Sequence, residues 1–308
     1  MKGEKGFALV ITLIVSALLV AVTGEFVHDV FIDTSLRQSF ADAQQAGLAA
    51  ASGAEVAMKL LSAALKENEY TSLNDQWATP QKLEDEKGTL TVTITEETGK
   101  LDLNSVVFAN GTINEPYYEI LQRLLEGLKL APDLADKLAD WVDTDDIPRS
   151  RGVETGYYKS LTPPREPANA PLVSYEELRM ASGFSEAILT KLFPYVTIYG
   201  DAEGGTASKV NINTAPAELL AVLDPAMTTE LAGRIIDYRN KTPIKSAAEV
   251  AGISGMETVG IALQGKIVVK GSVFRIQSRA QVGDTVRIVE AVVRTGDSRT
   301  KVLYWREL

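Results

Sequence analysis

Apolar residues are unevenly distributed along this chain. Between Lys5 and Glu25 no charged residue occurs, and Phe7 to Val22 is almost wholly apolar. At 1.5 Å per residue, a helix over 7–24 would be about 27 Å long, close to the hydrocarbon thickness of a bilayer. Lys2 and Lys5 precede it against Glu4 alone, which predicts an N-terminus on the cytoplasmic side and the bulk of the chain beyond the membrane. A secretory signal peptide would share these features, but small-residue cleavage sites after the run are poor and the helical pattern continues past it. From Leu36 to Leu65, a stripe of Leu36, Phe40, Gly47, Leu48, Ala51, Ala54, Met58, Leu61 and Leu65 is broadly compatible with a 3.6-residue period and predicts one helix continuous with the membrane segment. Ala43, Ala46, Gly47, Ala50, Gly53 and Ala57 add small side chains that let a neighbouring helix or sheet approach the backbone.

Further on the period changes to two. Gly88 to Thr95 alternates polar and apolar residues and reads as a strand. Residues 266–270, 273–280 and 286–293, punctuated by Gly271 and Gly283, read as an antiparallel meander, with Val302 to Trp305 as a last strand. A sheet packed on the outer half of the long helix is an α+β solution.

The region between these strands repeats itself. Leu101 to Ser105 echoes Val210 to Thr214, Leu138 to Trp141 echoes Ile235 to Tyr238, and Ser174, Glu177 and Gly183 echo Ser246, Glu249 and Gly255. The shrinking offsets, 109, 97 and 72, place extra sequence in the first copy, chiefly a long loop over 144–170. Asn104, Ser105, Asn213 and Thr214 are suited to cap helices, and Ser174 with Glu177 and Ser246 with Glu249 fit capping boxes. Gly183 and Gly255 suit tight turns between helices.

Composition narrows the chemistry. Across 308 residues the formal charge is -10 and the sequence pI about 4.9, which argues against a general polyanion binder. With no Cys and one His, thiolate zinc sites, iron–sulfur ligation and cysteine nucleophiles are excluded, and histidine-based metal catalysis has little room. His28 lies beside the membrane segment, and Ser105, Ser174 and Ser246 read as caps, so no Ser–His–acid triad is visible and the chain reads as noncatalytic. The acids Asp140, Asp143, Asp145, Asp146 and Glu154 lie near a helix end, where carboxylates and loop carbonyls can converge on a hard cation; an irregular, protein-dominated oxygen cage favours calcium over magnesium.

Gly6–Phe7 after a short basic leader resembles the processing site of type IV prepilins and type II secretion pseudopilins. That resemblance implies removal of residues 1–6 by a prepilin peptidase and N-methylation of Phe7. Where most of that superfamily carries Glu this chain has Ile11, a departure characteristic of the K-type minor pseudopilin. Asp140, Asp143, Asp145, Gly152, Glu154, Tyr158, Pro163, Pro164, Asn169, Pro194, Tyr195 and Asn211 to Pro216 resemble the K-type pattern over most of the chain. The resemblance implies a pseudopilin fold with a long N-terminal helix on an antiparallel sheet and a large inserted all-helical domain. It places a leader at 1–6, a transmembrane helix at 7–24, its periplasmic continuation at 25–66 and first strands at 88–104. An acidic helical domain follows at 105–192, a strand and loop at 193–209, a second helical module at 210–262 and C-terminal strands at 266–308. It further implies direct calcium ligation by Asp143, Asp145 and Glu154, with Asp140 and Asp146 as further members of the site. Ile11, Gly47 and Gly53 fall to membrane and assembly contacts. The implied setting is the inner membrane and periplasm. The implied partners are I-type and J-type minor pseudopilins, with exported proteins as further partners, and the implied task is starting or capping a secretion fibre.

Two other readings compete. The second module, 210–256, resembles a helix-hairpin-helix, and Arg234, Arg239, Lys241 and Lys245 form a modest basic patch; this would suit a membrane-anchored DNA-binding protein of an uptake system. Asp224, Glu230, Asp237 and Glu249 surround that patch and make nucleic acid a poor partner. A fimbrial tip adhesin is the third.

Overall fold

The computed structural model describes residues 4–108, 110–201, 206–296 and 300–308, with residues 4–6 described by backbone only. Half of the leader expected at 1–6 therefore lies outside the described residues. The chain opens with α1 (Glu4–Glu67), a single helix of 64 residues. Its apolar first part is exposed among the described residues, and it is the one described helix long and apolar enough to cross a membrane.

The outer half of α1 packs through its small residues. Ala46, Ala50, Ala54, Ala57, Leu61 and Leu65 are buried at helical spacing. A Cβ on Gly53 would lie 2.5 Å from the Ser278 hydroxyl, so the sheet comes close only because Gly stands there. The expected stripe is corrected in register: Leu36, Phe40 and Leu48 are exposed, and Gly47 has open space beside it. The small residues expected to admit a close neighbour do so at Ala46, Ala50, Gly53 and Ala57, because close approach to a sheet selects the face with the smallest side chains.

In chain order the elements after α1 are β1 (Gln81–Asp85), β2 (Gly88–Glu96), β3 (Leu101–Asp102), α2 (Glu115–Gly127), α3 (Leu134–Val142), α4 (Thr155–Lys159), α5 (Glu186–Leu192) and β4 (Val196–Thr197). Then come β5 (Val210–Asn211), α6 (Ala217–Leu220), α7 (Thr229–Lys241), α8 (Val259–Leu263), β6 (Ile267–Val268), β7 (Val273–Val282), β8 (Thr285–Arg294) and β9 (Lys301–Glu307). The main sheet is antiparallel, ordered β1-β2-β7-β8-β9. Alternation along β7 turns Phe274, Ile276 and Ala280 inward, where they meet α1, Trp77 and Val289 in one core. Trp77 and Phe274 meet edge to face at 5.2 Å, and burying a ring of that size contributes roughly 2–3 kcal/mol.

Two strands depart from expectation. β1 was not foreseen, because all five of its residues are exposed and its charged sequence carries no apolar alternation. Residues 266–270 do not join the meander; β6 pairs in parallel with β5, far back in the chain.

β2 and β7 are hydrogen-bonded neighbours, so everything between them is an excursion from one point of the sheet. It holds a second core of its own, running from Leu101 to Ile267 and touching the sheet at Val273 and Val292. Two neighbouring carboxylates mark the exit. Burial works against both, but Lys100 and Arg275 at 2.9 and 2.8 Å outweigh it at Glu97 and hold that acid down at about 2. Glu96 receives only neutral donors, from Thr71, Asn211 and Thr214, and burial pushes it up to about 7.

The excursion is built twice on one plan. β3 pairs in parallel with β4 as β5 does with β6. Asn104 Nδ2 donates to the carbonyls of Leu172 and Ile198 while its Oδ1 accepts from the Leu172 amide. Asn213 does the same to Ile244 and Val269. Gly183 and Gly255 both take positive φ, 86° and 83°, and each packs against a matching pair, Leu134 with Lys137 and Leu231 with Arg234.

The capping assignments change accordingly. Asn104 and Asn213 each latch a loop to the residue that follows a short strand, Ser105 donates to Asp102, and Thr214 donates to Glu96. Ser174 and Ser246 precede short 3-10 turns, and neither side chain caps its turn. Glu177 and Glu249 instead accept from the amides of Val173 and Lys245.

Candidate metal centre

α3 buries Leu134, Leu138, Trp141 and Val142. Asp136 and Asp140 lie one helical turn apart, and Asp143 is the residue that ends the helix. All three acids are buried. Asp140 and Asp143 therefore sit at the negative end of a helix, where a carboxylate is disfavoured and a cation is welcome.

The loop after α3 returns over these acids. The Arg149 amide donates to both Asp140 oxygens, at 3.2 and 3.1 Å. Gly152 passes so close that a Cβ there would lie 1.8 Å from Asp140 Oδ2. Glu154, just before α4, is buried with them, and Tyr158 of α4 packs edge to face on Trp141 at 5.1 Å.

One oxygen each from Asp140, Asp143 and Glu154 lies within 4.8 Å of the others. Asp143 Oδ1 and both Glu154 oxygens are buried without a hydrogen-bond partner in the chain, which is costly for a carboxylate unless something else satisfies it. Burial and the mutual repulsion of the acids push Asp140 and Asp143 up to about 6 and Glu154 up to about 8. An all-oxygen, strongly anionic set of this kind could hold a metal ion and suits a hard one, with loop carbonyls or water completing its shell.

Of the five acids singled out from sequence, the structure thus gathers Asp140, Asp143 and Glu154. Asp145 and Asp146 are exposed; their side chains accept from the Ile147 and Thr155 amides and add negative field from the rim. Two residues of the site were not foreseen: Asp136 is engaged by the Tyr118 hydroxyl, Arg149 and Arg151, and Arg149 holds Asp140. Gly152, a member of the K-type pattern, makes room for Asp140. The spacing of Asp136, Asp140 and Asp143 on one helix face was the available signal.

The second module presents no such cluster. Asp237 is exposed, and the basic patch read from sequence is corrected. Arg239 is buried, donating to the carbonyls of Ile212 and Ala215, and Arg234 is held by Ser254 and Glu230. The Gly255 amide, at the better preserved hairpin, donates to the Glu257 carboxylate.

A long apolar-ended helix on an antiparallel sheet, with a duplicated helical lobe between two adjacent strands and a buried acidic triad in its first half, defines a pilin-like α+β subunit. Family models described as type II secretion system (T2SS), protein K match residues 99–201 and 210–270, one on each module. The chain belongs to the type II secretion system protein K family and is a minor pseudopilin, a structural component of that machinery. It is 30% identical over 258 residues to the type II secretion system protein K of Klebsiella pneumoniae, covering 80% of this chain and 78% of that one. It is 26% identical over 330 residues to that of Aeromonas hydrophila, covering 98% and 96%. A chain of the GspK–GspI–GspJ complex from enterotoxigenic Escherichia coli shares its fold, with a TM-score of 0.71 at 21% identity, over 90% of this chain and 99% of that one.

Proposed function

We propose that this minor pseudopilin stands at the tip of the type II secretion pseudopilus, where it starts or caps the fibre that exports folded proteins across the outer membrane. The carrying observation is the lobe between β2 and β7, which adds two helical modules at one point of a pilin-like body; in this reading that bulk keeps another subunit from stacking above. Ile11 in place of the superfamily's Glu supports the same position. The I-type and J-type minor pseudopilins are its partners, in line with the name of the related complex. α1 anchors it in the inner membrane with the lobe in the periplasm. A prepilin peptidase cleaves between Gly6 and Phe7, and Phe7 is methylated. Gly47, open on α1, is available to a neighbouring stalk, whereas Gly53 serves the chain's own sheet.

In this reading Asp140, Asp143 and Glu154 hold calcium, with Asp145 and Asp146 strengthening the local field. The ion supplies the positive charge that the triad lacks and ties the end of α3 to the start of α4. The DNA-uptake alternative gains little, since Glu257 occupies the Gly255 amide of the hairpin and the Ser254 carbonyl engages Arg234. Immunogold labelling of pseudopili should find this chain at fibre ends, and deleting it should stop export; label spaced along the fibre would overturn the tip role.

A further inference from the structure

We propose that Arg149 is a positioning residue for the acidic centre, holding the 144–153 loop on α3 so that Asp140 is already in place when a cation arrives. The inference rests on the cation reading above. Arg149 acts from both ends. Its amide grips the two Asp140 oxygens at 3.2 and 3.1 Å. Its guanidinium reaches the other way, with Nε 3.2 Å from Asp136 Oδ1 and Nη2 3.6 Å from Glu115 Oε1, and lies 4.2 Å from the centre of the Tyr118 ring. Tyr118 belongs to α2, donates to Asp136 and accepts from Gln122, so one residue joins α2, α3 and the loop. Asp136, although buried beside Asp140, is engaged by these groups and not by the triad.

The side chain's charge and its position make opposite demands. A positive charge near a cation site repels the cation, so charge alone predicts tighter binding when Arg149 loses it. A residue that holds the loop in register predicts weaker binding, because the ligands must then be ordered at the moment of binding. Loss of groups that orient metal ligands typically costs about ten- to a hundred-fold in affinity.

The test uses the full-length chain in detergent, titrated with calcium chloride by calorimetry, in the native form and as Arg149→Met and Arg149→Lys. Methionine keeps the stem and the backbone amide but no charge; lysine keeps the charge without the planar fork. Both should bind calcium about ten-fold more weakly or worse, with far-UV circular dichroism unchanged, and both should show faster amide exchange over 144–154 in calcium-free protein. Native-like or tighter binding by Arg149→Met overturns the positioning role whatever the exchange shows. Weak binding by Arg149→Met with native binding by Arg149→Lys overturns the part given to the planar fork, since a single ion pair to Asp136 would then hold the loop. A native chain that takes up no calcium fails earlier: it overturns the cation centre itself, and the positioning role with it.

Discussion

In the first module Asn104 bridges Leu172 and Ile198, and in the second Asn213 bridges Ile244 and Val269 through the same three hydrogen bonds. The helices above these latches have diverged. α3 carries Asp136, Asp140 and Asp143, whereas α7 carries Gly233, Asp237 and Asn240 at the corresponding places, with Asp237 and Asn240 exposed. Val142 corresponds to Arg239, a buried cation that caps two carbonyls and is pushed down to about 10 by desolvation. After α7 the chain turns back within a few residues, while after α3 it makes a long acidic excursion before rejoining the plan. The latch and the turn glycines thus set a frame, and one helix face with its following loop can be rebuilt without disturbing it.

That contrast can be broken most forcefully at the triad. Changing Asp143→Asn together with Glu154→Gln should abolish calcium binding in a calorimetric titration, and a persisting native signal would place the ion elsewhere. The next largest effect concerns the frame. Asn104→Ala and Asn213→Ala should each lower stability by about 3 kcal/mol in denaturant unfolding, because each strands buried backbone groups. If only one of them matters, the modules do not share a latch.

A third test uses pH. With a chelator present, Asp140 and Asp143 titrate near 6 and Glu154 near 8 in the fold, above their ordinary range. The folded state then keeps protons that the unfolded chain has released. The contribution of these acids to stability should therefore fall as pH rises from about 4 to about 8. Calcium, or the Asp143→Asn, Glu154→Gln pair, should flatten that fall in a series of Tm measurements; an equal slope in all three would sink the argument. Smaller still, Gly183→Ala and Gly255→Ala should each cost about 1 kcal/mol in denaturant unfolding, since both positions hold positive φ. Asp237→Asn should leave calcium affinity unchanged, and any loss would blur the distinction between the two copies.

Long periodic signals were legible in the sequence: α1, β2, β7 and β8 follow from apolar spacing, and the repeat follows from matched motifs. What escaped was decided by tertiary context. β1 carries no apolar pattern because it is an exposed edge, and β6 finds its partner at β5, which spacing cannot reveal. Asn104, Ser105 and Thr214 have the chemistry of helix caps, yet the same side chains also satisfy buried strands and acids, and only the fold selects between these uses. At the site, the resemblance put Asp145 ahead of Asp140; helical geometry brings Asp140 beside Asp143, and the following turn places Asp145 and Asp146 at the exposed rim.

The adjacency of β2 and β7 has a bearing on the order in which the molecule folds. Pairing Glu96 with Phe274 closes a loop containing the entire span from Glu97 to Val273, and the entropic cost of closing a flexible chain grows with its length. Each module's own pairing, β3 on β4 and β5 on β6, closes a shorter loop at a smaller entropic cost. Once both have formed, the ends of β2 and β7 are delivered side by side, and the central ladder of the sheet can zip as if it were a hairpin.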